Sequence, residues 1–437
     1  MTRRYYAAEI DKSLDKQFVV LKGWVHELRE LGNIKFLLLR DNSGIVQVTI
    51  IKKNINESKF KEISKISKES VIEIDGQASK SKEAPNGIEV IMKDFNVLSL
   101  SKPVLPLEVT EKTPSMPQQR FDFRSIDLRK PKNHAIFIVQ SKLIEGIIEY
   151  LNANGFIQVF TPCIMGSASE SGADVFKIDY YGKKAFLRQD PQLHRQLTIA
   201  AGFEKIYDLG PSWRAEVSHT TKHLCEHRTI AVETAFINDE VDVIRLQENL
   251  VIASLKKVNK ECKEQLKLLN VKLKIPESTL PELRFPQVYY MLEKHDKNIY
   301  GQDLDAEAEK IIHEYVRKKY NSEFYFLNRF PFKIKPFYVM RVDDEKEWAR
   351  SIDLYYNGVE LSSGGQREHR YQVLISQIKE KGLNPEHLEW FTKFFQYGVC
   401  PHGGFALGIE RLTKQLLNLE NIRDAVLFPR DPERLLP

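Results

Sequence analysis

The residue types best suited to chemistry lie in three separate stretches of this 437-residue chain. Near the C-terminal end, a glycine-rich run reaches Gly408 and is followed by Arg411 on an apolar helical pattern. Glycine lets a backbone approach a flat ligand closely, and an arginine can bind phosphate oxygens with two hydrogen bonds. A second stretch carries Arg214 and Glu216 on the first strand of a predicted β-hairpin. Together these patterns predict a site for a phosphorylated ligand.

The third stretch contains two carboxylates. Asp353 and Glu360 flank a turn at Asn357-Gly358, so a hairpin would bring them together. Mg²⁺ prefers one or two carboxylates combined with phosphate oxygens. A hairpin with two acids is more often plain solvated surface, but its position just before the glycine-rich run favours a metal and phosphate site.

The elements that must position these residues are of mixed type. From Gln17 to Leu100, five short β-rich runs and one helical stretch favour a small barrel of the OB type, a fold that binds single-stranded nucleic acid. Apolar residues spaced by three and four predict an amphipathic helix from Ile136 to Leu151, after which strands and helices alternate. We therefore predict an α+β protein. The predicted parts are an OB barrel over 1–102, a proline-rich hinge over 103–130, and a catalytic domain over 131–437 with an insertion at about 239–341.

Composition limits the possible partners and compartments. The net charge of +5 comes from 65 basic and 60 acidic residues, so local basic patches must meet any nucleic acid. The four cysteines show no C-x-x-C spacing, which predicts free thiols in a reducing cytosol. No apolar run approaches the length needed to cross a membrane, and the first residues lack the apolar core of a signal peptide. We expect a cytoplasmic protein without a membrane partner.

Three motifs resemble, in order, motifs 1, 2 and 3 of class II aminoacyl-tRNA synthetases. They run from Gly155 to Pro162, from Gly210 to Glu216, and from Pro401 to Leu412. A likeness to the archaeal type of aspartyl-tRNA synthetase, including its non-discriminating form, extends over nearly the whole chain. Phe428-Pro429-Arg430-Asp431 is closer to the aspartyl form than to the asparaginyl form. The resemblance implies an enzyme that uses ATP and Mg²⁺ to make an aspartyl-adenylate and then passes the aspartyl group to tRNA.

The resemblance also implies roles for individual residues. The catalytic side chains would be Arg214, Glu216 and Arg411. The ATP contacts would be Arg214, Glu216, His223, Leu224, His227, Glu233, Glu360, Gly408 and Arg411. The amino-acid contacts would be Glu170, Gln192, Arg195, Ser363 and Arg367. The Mg²⁺ ligands would be Asp353, Glu360 and Ser363.

Departures from the family pattern cluster in the amino-acid pocket. The family's Gln-Ser-Pro-Gln-Leu-x-Lys is replaced by the run Gln189 to Arg195, in which arginine stands for lysine. Ala231 stands where the family has an acid, and His227 stands where it has phenylalanine. An arginine is wider than a lysine, and the lost acid predicts a more cationic pocket. We expect selection of an acidic amino acid with a weaker or altered preference.

The resemblance assigns the anticodon to the barrel. The matching contact positions are Arg29, Phe36, Gln47 and Glu89. His26 and Pro85 match the residue pair typical of relatives that charge both the aspartate and the asparagine tRNA, which favours relaxed tRNA choice. Such an enzyme implies an amidotransferase partner that converts the misplaced aspartate to asparagine. The motif 1 helix and Pro162 imply a homodimer.

Two alternatives keep this fold. The first is a synthetase paralogue whose altered pocket serves a different amino acid, or a regulatory protein that binds tRNA or nucleotide. Arg214 and Arg411 argue against a complete loss of ATP chemistry. The second is a stand-alone enzyme that amidates an amino acid, which would not need the barrel.

Overall fold

The computed structural model describes residues 3–84, 86–110, 114–166, 175–217, 220–221, 223–277 and 279–436. The chain divides into two compact units, Met1–Pro131 and Lys132–Pro437. The first is mainly β and the second combines sheet and helices, which confirms the predicted α+β class. Within the described ranges, no helix combines the length and the apolar character needed to cross a membrane. The four cysteines all lie in these ranges and are free thiols.

The first unit is built around one sheet. Alternate residues along its strands are buried, as expected where one face of a sheet packs on a core. Its strands are β1 (Arg4–Tyr5), β2 (Phe18–Leu31), β3 (Ile34–Arg40), β4 (Ile45–Ile51), β5 (Val71–Lys80) and β6 (Ile88–Ser99). Its helices are α1 (Glu57–Glu62), α2 (Pro117–Asp122) and α3 (Arg124–Asp127), with 3₁₀ turns at Ala7–Glu9, Lys12–Leu14, Lys52–Asn54 and Ile63–Lys65.

The strands of the first unit close on themselves. Their order among the described residues is β1-β2-β3-β4-β6-β5, and β2 also pairs with β5, so the last five strands in that order form a ring. A bulge interrupts the pairing of β2 with β3 between Val25 and Glu27. The bulged residue is His26. The predicted hinge belongs to this unit and carries α2 and α3, the first of which starts at a proline, a residue suited to the first helical position.

The second unit contains the remaining elements. Its strands are β7 (Ile157–Gln158), β8 (Ile164–Met165), β9 (Lys177–Tyr180), β10 (Lys183–Leu187), β11 (Lys205–Trp213), β12 (Glu226–Ala235), β13 (Glu282–Arg284), β14 (Phe324–Asn328), β15 (Ser351–Tyr356), β16 (Val359–Arg367) and β17 (His402–Gly408). Its helices are α4 (Pro131–Ala153), α5 (Gln192–Ala200), α6 (Glu240–Glu261), α7 (Lys263–Leu268), α8 (Gln287–Glu293), α9 (Ala306–Tyr320), α10 (Tyr371–Glu380), α11 (Glu389–Thr392) and α12 (Ile409–Leu416), with 3₁₀ turns at Phe332–Ile334, Pro385–Leu388, Lys393–Tyr397 and Ile422–Ala425.

The site depends on a largely antiparallel sheet. Among the described residues its order is β13-β14-β15-β16-β17-β12-β11-β7, and the buried apolar residues of α4, α6 and α12 share one core with its central strands. Two glycines let these strands lie close together. A Cβ at Gly404 would lie 1.9 Å from the carbonyl oxygen of Val232, and one at Gly364 would lie 2.3 Å from the carbonyl oxygen of Gly404. Any larger side chain would force β12, β16 and β17 apart.

Candidate active site

One cavity of about 370 Å³ draws its lining from four neighbouring strands, β11, β12, β16 and β17, and from the segments that follow them. These strands lie side by side although they are far apart in the chain. The sequence-predicted residues that line the cavity are Gln192, Arg214, Glu216, His223, Leu224, His227, Glu360, Ser363, Arg367, Gly408 and Arg411. Three separate stretches of sequence are therefore brought to a single site.

Two of the guanidinium groups differ in how they are held. Arg214 follows β11 directly, its backbone N–H donates to the carbonyl of Cys225 at 3.0 Å, and its side chain is exposed. Arg411 lies in the first turn of α12, and its Nη1 donates to the carbonyl oxygen of Glu360 at 2.8 Å. Within the described ranges the Arg214 guanidinium has no hydrogen-bond or ion-pair partner. It can therefore bind an anionic ligand without first breaking a contact.

His227 is an uncharged flat ring close to these arginines. Burial, then the positive charges of Arg214 and Arg411, lower the pKa of His227 to about 4. A neutral imidazole can stack on an aromatic base without adding a further positive charge. The ring thus suits stacking against a flat ligand in the cavity.

Arg367 is anchored by several hydrogen bonds at the wall of the cavity. Its Nε donates to Glu233 at 2.9 Å, and its Nη2 donates to Gln192 at 3.1 Å and to the carbonyl of Gly404 at 3.0 Å. Glu233 is fully buried, does not line the cavity, and also accepts from Gln192 at 3.0 Å. This position does not agree with the predicted contact between Glu233 and the nucleotide. The strand β12 directs the carboxylate to Arg367, where it fixes the guanidinium.

Arg195 is also buried and does not line the cavity. Its Nη2 donates to Asp190 at 2.7 Å and to the side-chain amide oxygen of Gln192 at 2.8 Å. Asp190 does line the cavity. In this part of the described site, the carboxylates of Asp190 and Glu233 thus pair with the guanidinium groups of Arg195 and Arg367. Asp190 thus supplies an acid to the cavity wall at a different position from Ala231, which bears against the expected more cationic pocket. The predicted contact Glu170 lies outside the described residues.

Of the three residues predicted to bind Mg²⁺, two line the cavity and one does not. Glu360 and Ser363 line the cavity, whereas Asp353 is buried behind it and accepts from Lys335 Nζ at 2.8 Å. Burial raises the pKa of Asp353 to about 6 despite that lysine. The described ranges contain no cluster of three or more metal-binding side chains. Two protein oxygens at the surface fit a cation such as Mg²⁺ that completes its shell with phosphate and water.

Several lining residues were missed by sequence reasoning. Lys335 and Tyr338 reach the cavity from a loop within the segment that we assigned to the insertion, and no local pattern marked them. Glu410 precedes Arg411 in the glycine-rich motif and could have been found from its position. Its two carboxylate oxygens accept from the backbone N–H of Arg228 at 3.0 and 2.9 Å, which ties α12 to β12.

The four predicted anticodon contacts lie on adjacent strands of the first unit. Arg29 on β2 pairs with Phe36 on β3, which in turn pairs with Thr49 on β4. Gln47 donates to Glu89 on β6 at 2.9 Å, and Thr49 donates to the same carboxylate. An exposed arginine, a half-buried aromatic ring and an amide therefore share one surface. Such a surface suits stacking and hydrogen bonding with unpaired bases.

His26 is buried at the bulge and does not belong to that exposed surface. Its Nδ1 lies 3.1 Å from Nη1 of Arg40, whose guanidinium makes two hydrogen bonds to buried Glu69 at 2.9 and 2.6 Å. Burial, followed by the charge of Arg40, lowers the pKa of His26, so the ring accepts a hydrogen bond from Arg40. Arg129 also pairs with Glu69, at 3.1 Å. Pro85 lies outside the described residues.

Comparison with known proteins decides the family. A family model described as tRNA synthetases class II (D, K and N) matches residues 116–432. The chain is a class II aminoacyl-tRNA synthetase. A second model, an OB-fold nucleic acid binding domain, matches residues 19–98 of the synthetase.

Full-length relatives share this organisation. The synthetase is 42% identical to the aspartate–tRNA(Asp) ligase of Pyrococcus furiosus over the whole of both chains. It is 41% identical to the aspartate–tRNA(Asp/Asn) ligase of Archaeoglobus fulgidus over 99% of this chain and all of that one. Among solved structures, it is similar to asparaginyl-tRNA synthetase from Pyrococcus horikoshii complexed with asparaginyl-adenylate, with a TM-score of 0.93 and 32% identity over the whole of both chains.

Proposed function

We propose that the synthetase joins aspartate to tRNA through an aspartyl-adenylate made from ATP. The observation that supports this most directly is that Arg214, Arg367 and Arg411 line a single cavity. Arg367 is fixed by Glu233, Gln192 and Gly404 and suits a side-chain carboxylate. The other two suit phosphate oxygens. The aspartate ligases named among the full-length relatives agree with this choice of amino acid.

In the proposed first step, an oxygen of the aspartate α-carboxylate attacks the α-phosphorus of ATP. A new O–P bond forms, the bond from the α-phosphorus to the bridging oxygen breaks, and pyrophosphate leaves. Arg214 would stabilise the negative charge that builds on the α-phosphate, Arg411 would hold the γ-phosphate, and His223 would support the polyphosphate. His227 would stack on the adenine. Most of the acceleration would come from orienting two bound substrates.

Glu360 and Ser363, with Asp353 behind them, would hold Mg²⁺. When bound, the cation supplies positive charge to the phosphate oxygens. In the second step, a terminal ribose hydroxyl of tRNA attacks the aspartyl carbonyl carbon, and AMP leaves with the bonding electrons of the mixed anhydride.

ATP–pyrophosphate exchange measured separately with each of the twenty amino acids tests the proposal. We expect exchange with aspartate and none above background with the other nineteen. Exchange with a different amino acid would assign the altered pocket to that substrate. Absence of exchange with every amino acid would instead favour a regulatory protein that binds tRNA or nucleotide.

We further propose that the synthetase charges both the aspartate and the asparagine tRNA. The relatives do not decide this, because ligases of both kinds are almost equally similar. The buried, uncharged His26 supports it, since this position presents neither a large aromatic ring nor a cation at the surface of the first unit. The aspartate carried by the asparagine tRNA would then require an amidotransferase.

Charging of purified aspartate and asparagine tRNAs tests relaxed choice. We expect the two values of kcat/KM to agree within about tenfold, a free-energy difference of about 1.4 kcal/mol. A His26→Trp/Pro85→Lys variant should lower charging of the asparagine tRNA selectively. A wild-type preference far above tenfold would show strict choice and remove the need for an amidotransferase.

A homodimer is also proposed. The strand β7 forms one edge of the large sheet, and Ile157, Phe160 and Ile164 near it are all exposed, Phe160 by 82%. Apolar side chains beside an unpaired strand edge favour contact with a second copy. Sedimentation should give twice the chain mass, and Phe160→Glu should lower it to that of one chain. A monomeric wild type would contradict the proposal.

A further inference from the structure

The segment that follows α12 contacts the loop between β11 and β12. The backbone N–H of Ile422 donates to the carbonyl of Thr221 at 3.1 Å, and the backbone N–H of Cys225 donates to the carbonyl of Arg430 at 3.0 Å. Thr221 and Cys225 flank His223, which lines the cavity. The segment therefore holds the loop on both sides of His223, although the two stretches are far apart in the chain.

The side chain of Arg423 joins the two ends of this segment and also reaches the loop. Its Nε donates to Asp431 at 2.7 Å, and its Nη1 donates to the carbonyl of Thr220 at 3.4 Å. The two charged side chains are only 11% and 9% exposed, so water and salt screen their interaction less than that of a surface pair. Ile422 and Arg430 are their neighbours in the chain. The ion pair thus fixes the spacing of the two backbone contacts with the loop.

Thr220 also orients the ring of His223. Its hydroxyl oxygen lies 2.6 Å from Nδ1 of the imidazole. A hydroxyl that donates to Nδ1 leaves the ring proton on Nε2, from which it can be donated to a phosphate oxygen. Arg423 does not line the cavity, so its guanidinium does not itself contact a ligand there.

We propose, resting on the proposed function, that Arg423 is a positioning residue for His223. By holding Thr220 and the segment after α12 together, it keeps the imidazole directed at the β- and γ-phosphates of ATP. Pyrophosphate, which consists of the same two groups, would depend on Arg423 in the reverse direction. AMP lacks both groups, so its binding should not depend on Arg423.

Two nucleotides separate this role from general support of the fold. Dissociation constants are measured by calorimetry, without an amino acid, for AMP and for α,β-methylene-ATP, which carries all three phosphates but is not cleaved. In Arg423→Gln we expect the constant of the ATP analogue to rise about 10-fold, near the lower end for a hydrogen bond to a charged group. The constant of AMP should change by less than about threefold. Arg284→Gln removes an exposed arginine that also donates to a carboxylate, at 2.6 Å, and as the matched control it should change neither constant.

A double-mutant cycle tests whether Arg423 acts through His223. His223→Ala should raise the constant of the ATP analogue about 10- to 100-fold. Adding Arg423→Gln to this variant should change the constant by less than about twofold, because the ring that Arg423 positions is already absent. Additive effects of the two substitutions would overturn the inference, as would an equal rise for AMP in Arg423→Gln.

A second variant covers the possibility that Arg423→Gln does not fold. Arg423→Lys keeps a positive charge near Asp431 but lacks the planar fork that reaches both partners, and AMP binding reports that it is folded. It should show the same selective weakening for the ATP analogue. If the wild type binds neither nucleotide, the proposed function fails and the inference fails with it. If the wild type binds both and neither variant alters the ratio of the two constants, only the inference fails.

Discussion

Replacing Glu410 by glutamine should change how the stability of the synthetase depends on pH. Glu410 is 5% exposed, and burial raises its pKa from 4.5 to about 7 even though it accepts from the backbone N–H of Arg228. The folded state therefore binds this proton more tightly than the unfolded chain does. Stability from this group is fully present below about pH 4.5 and is lost as the pH rises through about 7, with a total of about 3 kcal/mol.

Glutamine keeps an oxygen for the Arg228 N–H and removes the charge, so Glu410→Gln should not show this loss. Calorimetric unfolding at pH 5 and pH 8 measures it. We expect the wild type to lose several degrees more than the variant between these two pH values, at about 2–4 °C per kcal/mol. Glu264→Gln, an exposed substitution on α7, is the matched control and should follow the wild type. Parallel curves for the wild type and Glu410→Gln would refute the reasoning.

Three further substitutions test other parts of the molecule. Arg367→Lys should lower kcat/KM for aspartate about 10- to 100-fold in exchange assays, because a lysine cannot reproduce the planar set of hydrogen bonds; an unchanged value would move the side-chain contact elsewhere. Gly404→Ala should unfold the second unit at a much lower temperature, whereas Gly166→Ala, where an added Cβ meets no atom within 4 Å, should not. Arg40→Met should lower the free energy of unfolding of the first unit, measured in urea, by about 3–5 kcal/mol, because buried Glu69 loses a partner. Arg29→Met, at the exposed pair with Glu27, is the control and should lower it by less than about 1 kcal/mol.

The fold could be predicted from the sequence where apolar spacing or turn residues form a regular local pattern. The apolar spacing from Ile136 to Leu151 predicted the core of α4, and the turn at Asn357-Gly358 predicted the β15–β16 hairpin, because both residues can adopt positive φ. The helices at 117–127 were not predicted, since four prolines between 103 and 117 indicated only an irregular segment.

The pocket was harder to predict because its electrostatics depend on long-range packing. The substitution at Arg195 was visible in the sequence, but only the fold shows that this side chain is buried, does not line the cavity and pairs with Asp190. Glu233 was assigned to the nucleotide by the resemblance, whereas its hydrogen bond to Arg367 could not be predicted, because strand alternation fixes a face and not the partner across the sheet. Lys335 joins the site through a loop without a pattern of its own.

The contact between Arg129 and Glu69 determines where two relatives should be joined in a chimera designed to transfer tRNA preference. Arg129 lies beyond the last strand of the barrel, yet its guanidinium reaches a carboxylate that Arg40 holds inside it. A chimera joined at residue 102 would draw these groups from different parents and could place an ill-matched side chain against a buried negative charge. Joining instead after Pro131, where the first unit ends, transfers the whole ionic cluster from one donor.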